Sequence, residues 1–204
     1  HNVMRALKNS FATTILQTVL ALAVSSIAGY GFEIYHDKAK DTVMAILMLA
    51  MMVPFVAVLV PLFQMFTKAK LINSWTGFIL PSIATPFLIM YFRNSARSFP
   101  RDTLEAARID GLNEFQIFIR MFIPMMKPTY ASAATITFMG AWNAYLWPKV
   151  VMQTNEAITM PMLVANTMGG YVIDYGVVMA AVTICSLPTV IIFFCLQKSF
   201  TNAV

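Results

Sequence analysis

Charge is scarce in this chain. Of its 204 residues only 11% are Asp, Glu, Lys or Arg, against about 25% in a soluble domain. Histidine appears twice (His1, His36) and cysteine twice (Cys185, Cys195). These shortages exclude several kinds of chemistry. Two His and two Cys so placed make no metal cluster. The cysteines stand ten residues apart in one apolar run; on a helix that is about 15 Å along the axis, too far for a disulfide. They read as small buried apolar side chains. The one internal histidine lies in a charged loop, which leaves no Ser-His-Asp arrangement. The phosphate-cradling pattern G-x-x-x-x-G-K-[ST] is missing, so the sequence expects no catalysis, no cofactor and no metal in this chain. The 14 Lys and Arg are scattered through short loops, without the concentrated basic surface that nucleic acid requires.

What is abundant is apolar: 59% of residues, with 16 Phe, 16 Met and a mean hydropathy of +0.71. A helix needs about 20 apolar residues to cross roughly 30 Å of hydrocarbon. Five runs qualify as expected spans, at about 11–31, 42–66, 75–92, 129–148 and 176–196. Lipid offers no partner to backbone groups, so these are helices rather than strands. The chain therefore reads as one all-α membrane domain over 1–204, a polytopic bundle embedded in the lipid bilayer. Pro54, Pro61, Pro81, Pro86 and Pro188 fall inside the runs and predict kinks. Trp75, Trp142, Trp147, Tyr30, Tyr91 and Tyr175 lie near run ends, where aromatic belts form.

Five spans divide the loops between two sides. One side carries nine Lys and Arg, the other five. The positive-inside rule puts the richer side, with the C-terminus, in the cytoplasm. The N-terminus is then outside. No signal-peptide pattern follows Arg5 and Lys8, so this orientation expects a further transmembrane helix upstream.

The cytoplasmic stretch 93–128 reads as structured. Ser98 is a candidate cap, Pro100 suits a first helical turn and Asp102 suits the dipole. The helix RDTLEAARID then stops at Gly111. Arg101–Glu105 and Glu105–Arg108 have pairing spacing, and Leu104, Ala107 and Gly111 share a face. Asn113 with Gln116 three residues on predicts a capping box. Phe115, Phe118, Ile119 and Phe122 form an amphipathic stripe ending at Pro124. The result is a small knob at about 98–124 whose small residues, Ala106, Ala107 and Gly111, admit close approach by another protein.

EAARIDGLNEFQIFIRMFIP, residues 105–124, resembles the EAA loop of binding-protein-dependent ABC importer permeases. That pattern is Glu-Ala-Ala, a Gly six positions after the Glu and a Pro nineteen after it; Glu105, Ala106, Ala107, Gly111 and Pro124 occupy those places, with Asp110 before the Gly. PFVAVLVPLF (54–63), PSIATPFLIMYFRN (81–94), AWNAYLWPKVVM (141–152) and SLPTVIIFFCLQKSF (186–200) resemble the sugar, maltose-type branch. The resemblance implies a type I ABC importer permease fold in a bacterial cell membrane, with six helices of which the first is absent here. It implies three kinds of partner: an ABC ATPase dimer that binds ATP and Mg, a second, paralogous permease, and an extracytoplasmic sugar-binding protein. Leu104, Glu105, Ala106, Ala107, Asp110, Gly111 and Pro124 become ATPase-coupling residues, and the substrate is a disaccharide or oligosaccharide.

Each residue also has a plainer reading. Glu105 is either the docking charge or a solvated one; Gly111 is a helix terminator and part of the docking surface too. Asn143, a polar group in an apolar run, either meets sugar hydroxyls or bonds a neighbouring helix. Trp142 and Tyr145 are candidates for stacking on sugar rings, Trp147 for interface anchoring and Gln17 for helix association. Two rival functions stay open: an ABC permease for another small solute, and an ion-driven secondary transporter, which would need ionisable residues at membrane depth.

Overall fold

The computed structural model describes residues 2–169 and 174–201, and they are helical almost throughout. The first helix, α1 (Asn2–Ile34), runs 33 residues, about 50 Å. It forms the axis of the bundle. α5 (Pro86–Ala96) and α9 (Lys127–Trp142) pack along it, and α11 (Met160–Met168) lies between it and α12 (Tyr175–Thr201). Three buried clusters follow one another down α1. Ala6 belongs to the one at its start, Ala21 to the one at its middle and Tyr30 to the one at its end.

The buried face of α1 is made of small polar groups, among them Ser10, Thr14, Thr18, Ser25 and Ser26. Such residues let helices approach closely and still offer hydrogen bonds. Ser10 Oγ accepts the Met160 amide at 2.8 Å, and Asn9 donates to the carbonyls of Glu156 and Ile158. Gln17, expected on this face, is buried there. Gly29 is where α1 and α5 meet backbone to backbone. A Cβ at that position would lie 2.6 Å from Phe92 Cβ and 2.7 Å from the Arg93 nitrogen.

Among the described residues, two helices are long and apolar enough to cross a membrane unbroken, Val3–Ile34 and Tyr175–Cys195. Two more of the five expected spans are bent pairs. α2 (Lys38–Ala50) and α3 (Phe55–Lys68) turn through 102°, and α4 (Trp75–Ile79), with its 3-10 extension to Ser82, turns through 49° into α5. Pro54 and Pro86 stand at the two breaks, and Thr85, just before Pro86, is extended at φ −81°, ψ 133°. Proline drives its predecessor out of the helical region, so these breaks follow from the sequence. The fourth run resolves into α9, of 16 residues, and the short α10 (Leu146–Val151), which departs from the single span expected at 129–148.

Pro61 and Pro188 sit inside α3 and α12 without interrupting them. At Pro188 a neighbour helps. The Trp142 indole donates to the Cys185 carbonyl at 2.8 Å, in the turn that precedes the proline, and so adds a side-chain bond from α9 beside it. Trp147 corrects the interface-anchor expectation. It is only 7% exposed, its indole donates to the Gly77 and Phe78 carbonyls, and its ring meets Phe66 edge-on at 5.1 Å. It pins α10 to α4.

Candidate coupling loop and transport cavity

The expected knob forms at one end of the bundle. α6 (Arg101–Ile109) starts behind Pro100, which takes the cap position without a side-chain bond. Ser98 does not cap it; its hydroxyl donates to the Ser95 carbonyl. Asp102 lies in the first turn as expected. At the far end Gly111 has φ +82°. Its amide bonds the Arg108 carbonyl and the Leu112 amide bonds Ala107, which is a Schellman closure. Asn113 and Gln116 then make the full capping box of α7 (Glu114–Ile117).

α7 leads into a wide π turn over Phe118–Phe122, followed by α8 (Ile123–Met125). Pro124 has no amide to give the Arg120 carbonyl and its ring crowds that oxygen. The turn widens instead, and Ile123 bonds back to Phe118. The widening splits the expected aromatic stripe: Ile117, Phe118 and Phe122 are buried, while Phe115 is 72% exposed and Ile119 also faces outward.

α6 has two faces. Leu104 and Ala107 point inward, into a cluster with Tyr30 and Ile34 of α1 and Ala96 and Phe99 of the α5 end. Tyr30 meets Phe122 edge-on at 4.8 Å and Phe118 at 5.2 Å. Glu105, Ala106, Asp110 and Gly111 face outward with Ile109, which is 86% exposed. Gly111 therefore does not share the inward face of Leu104 and Ala107. Pro124 is exposed on the following helix.

The expected pairs of Glu105 with Arg101 and Arg108 are not formed. Arg108 Nε instead donates to Glu114 Oε1 at 2.8 Å. That hydrogen bond, opposed by desolvation and aided by the Tyr35 and Tyr30 hydroxyls, holds the Glu114 carboxyl below the usual glutamate range. Glu114 Oε2 and the Tyr30 hydroxyl are nonetheless buried without a partner at hydrogen-bonding geometry, so the contact between them is loose.

Beside the knob lies a charge cluster that sequence reading missed. Arg93, placed by the sequence in the loop, belongs to α5 and is 4% exposed. It reaches Glu33 at the end of α1 (3.4 Å) and Asp41 at the start of α2 (2.5 Å). Arg97 also reaches Glu33, and His36 reaches Asp41 at 2.9 Å. Breaking a buried ion pair by removing one member costs about 3–5 kcal/mol. Asp41, nearly half exposed, contributes much less. The one available signal was positional: Glu33 and Arg93 close two apolar runs on the same side of the membrane.

At the opposite end of α9, a cavity of about 480 Å³ opens between α9, α11 and α12. Asn143 and Tyr145 line it with Met168, Val182, Cys185 and Ser186. Asn143 caps α9 and donates to the Met139 carbonyl. Trp142 is 1% exposed and lies behind the cavity, stacked on Phe138 and edge-on to Phe11. It has no free face for a sugar ring in this conformation.

A multi-span helical bundle bearing a two-faced helix–turn–helix knob defines a class. Residues 21–204 match the family of binding-protein-dependent transport system inner membrane components, and the chain belongs to that family. It is the membrane permease subunit of an ABC transporter, non-catalytic, with the ATPase on a separate subunit. Among relatives, it is 41% identical over 194 residues to the lactose transport system permease protein LacG of Rhizobium radiobacter, spanning 95% of this chain and 71% of that one. It is 36% identical to the arabinooligosaccharides transport system permease protein AraQ of Bacillus subtilis (strain 168), spanning 95% and 69%. The fold matches a bacterial ABC transporter structure involved in import of the acidic polysaccharide alginate. There the TM-score is 0.88 at 22% identity, over 97% of this chain and 75% of that one. Family membership sets aside the ion-driven secondary transporter.

Proposed function

We propose that this permease carries a disaccharide or oligosaccharide inward, and that α6 is the joint on which its ATPase acts. The 41% identity to a lactose permease supports the sugar class. The outward face of α6 supports the docking role: Glu105, Ala106, Ile109, Asp110 and Gly111 lie exposed on a helix whose other face is locked into the bundle. Leu104 and Ala107 then act from behind, seating the helix rather than touching the ATPase. Pro124 acts through the π turn.

In this reading the knob and the C-terminus are cytoplasmic, a second permease completes the pathway, and an extracytoplasmic binding protein delivers the sugar. Asn143 and Tyr145 border the route on the outer side; Trp142 holds α9 against α12. ATP-driven closure of the ATPase dimer moves α6, and the bundle alternates between inward-facing and outward-facing states.

Uptake measured in cells with Glu105→Lys tests the coupling role. Transport is expected to fall at least tenfold with the complex still in the membrane; parent-level uptake would remove Glu105 from the joint. The solute retained by the cognate binding protein tests the substrate class, and a binding protein that retains an amino acid or phosphate in place of a sugar would replace that part of the proposal.

A further inference from the structure

Movement of α6 has to leave the knob by some path. Its inward residues, Leu104 and Ala107, share a cluster with Tyr30 and Ile34 of α1. α1 therefore receives a push on the knob directly, at its last turn. Packing alone is a poor carrier for a pull, because apolar faces can separate. A charge pair with low exposure on both sides resists separation, since parting leaves both charges uncompensated in a poorly solvated place.

Glu33 lies in that same last turn of α1. Its side chain is 13% exposed and that of Arg93 is 5%. Arg93 also holds Asp41, across the turn that starts α2. A guanidinium offers donors in a fixed fork and can serve two carboxylates at once. Three helices are thus fastened to one side chain, next to the cluster on which the knob rests. Just above, α1 and α5 touch backbone to backbone at Gly29, so the two cannot roll independently.

We propose that Arg93 is a positioning residue for transport: through Glu33 and Asp41 it makes α1, α2 and α5 move as one body when α6 is displaced. This rests on the reading of α6 as the coupling helix. Such a role differs from mere support of the fold. A supporting pair, once replaced by neutral groups that pack, leaves the cycle intact; a transmitting pair does not.

The test uses the assembled transporter in nanodiscs, with ATP hydrolysis measured with and without the cognate binding protein in saturating lactose plus arabino-oligosaccharides. The double variant Glu33→Gln, Arg93→Met removes both buried charges together, which spares the fold the unpaired one. It is expected to assemble and to lose at least tenfold of the binding-protein stimulation, with basal hydrolysis retained. Arg93→Lys keeps the charge but not the fork. It is expected to assemble as the parent does and to lose about threefold. Stimulation within twofold of the parent in Arg93→Lys, or in an assembled double variant, overturns the proposal. Glu105→Lys run alongside separates the two claims: if it uncouples while the Arg93 variants do not, only the joint at Arg93 falls; if none uncouples, the α6 reading falls too.

Discussion

Glu114 shows how a single side chain can be decisive and yet hard to read from sequence. Arg108 has Glu105 three residues away on its own helix, which is the pairing that helix spacing suggests. The left-handed turn at Gly111 reverses the chain and brings Glu114 back over Arg108 instead. Pairing across a reversal is tertiary, and no local spacing rule contains it. Arg93 is a similar case: a cation at the end of an apolar run gives no indication of whether it leaves the bundle or turns into it. The Glu114 carboxyl, held low by Arg108, has a consequence for pH. Its folded value lies below its unfolded value, so the stabilisation is full above the unfolded value and is lost as pH falls through the folded one. Hydrogen exchange of amides 108–117 is therefore expected to hold steady from pH 7 down to the ordinary glutamate value of 4.5 and, after correction for intrinsic rates, to accelerate below it. In Glu114→Gln the acid-specific acceleration is expected to vanish. If it persists there, another group is responsible.

Among elements, the knob was the most legible, because its boundaries are written in residues with one physical meaning each. Gly111 adopts φ +82°, where a Cβ costs about 1–2 kcal/mol. Asn113 caps α7 and accepts the Gln116 amide at 2.9 Å, a contact worth about 1 kcal/mol. Gly111→Ala and Asn113→Ala are each expected to speed exchange of the α6–α7 amides by about fivefold, the equivalent of about 1 kcal/mol. Gly140→Ala, with nothing within 4 Å of the added Cβ, is expected to leave α9 as protected as before. Equal protection in Gly111→Ala would mean the helix end tolerates a different closure. The π turn was not legible. Pro124 marked an end to the helix, but whether a proline ends a helix or widens it depends on what the next turn packs against, here Tyr30 and Phe99 on Phe122.

For the molecule as a whole, the five apolar runs gave the membrane class, and family and fold agree with it. They did not give the shape. Runs report how much hydrocarbon-compatible chain exists, while the 102° and 49° turns divide that chain into pieces too short to span alone. Nor could they show that α1 is the axis, since its buried face is polar and its exposed face apolar, the reverse of a soluble helix. The close contact at Gly29 sets how the bundle is assembled. Gly29→Ala is expected to lower the stability of the purified complex by about 1–3 kcal/mol through overpacking against α5. Gly31→Ala, two residues on, meets nothing within 4 Å and is expected to be neutral. Thermal unfolding in matched detergent compares the two, and equal midpoints would mean that α5 slides aside.

The three tryptophans sit in contrasting surroundings: Trp142 and Trp147 are 1% and 7% exposed, whereas Trp75 is 46% exposed. Both sealed indoles donate to backbone carbonyls of another helix, one on α12 and one on α4. The chain thus carries intrinsic fluorophores at two of its helix junctions. Opening the α9–α12 contact changes the medium around Trp142, and parting α10 from α4 does the same for Trp147. Emission colour then follows the bundle through its cycle without any dye attached.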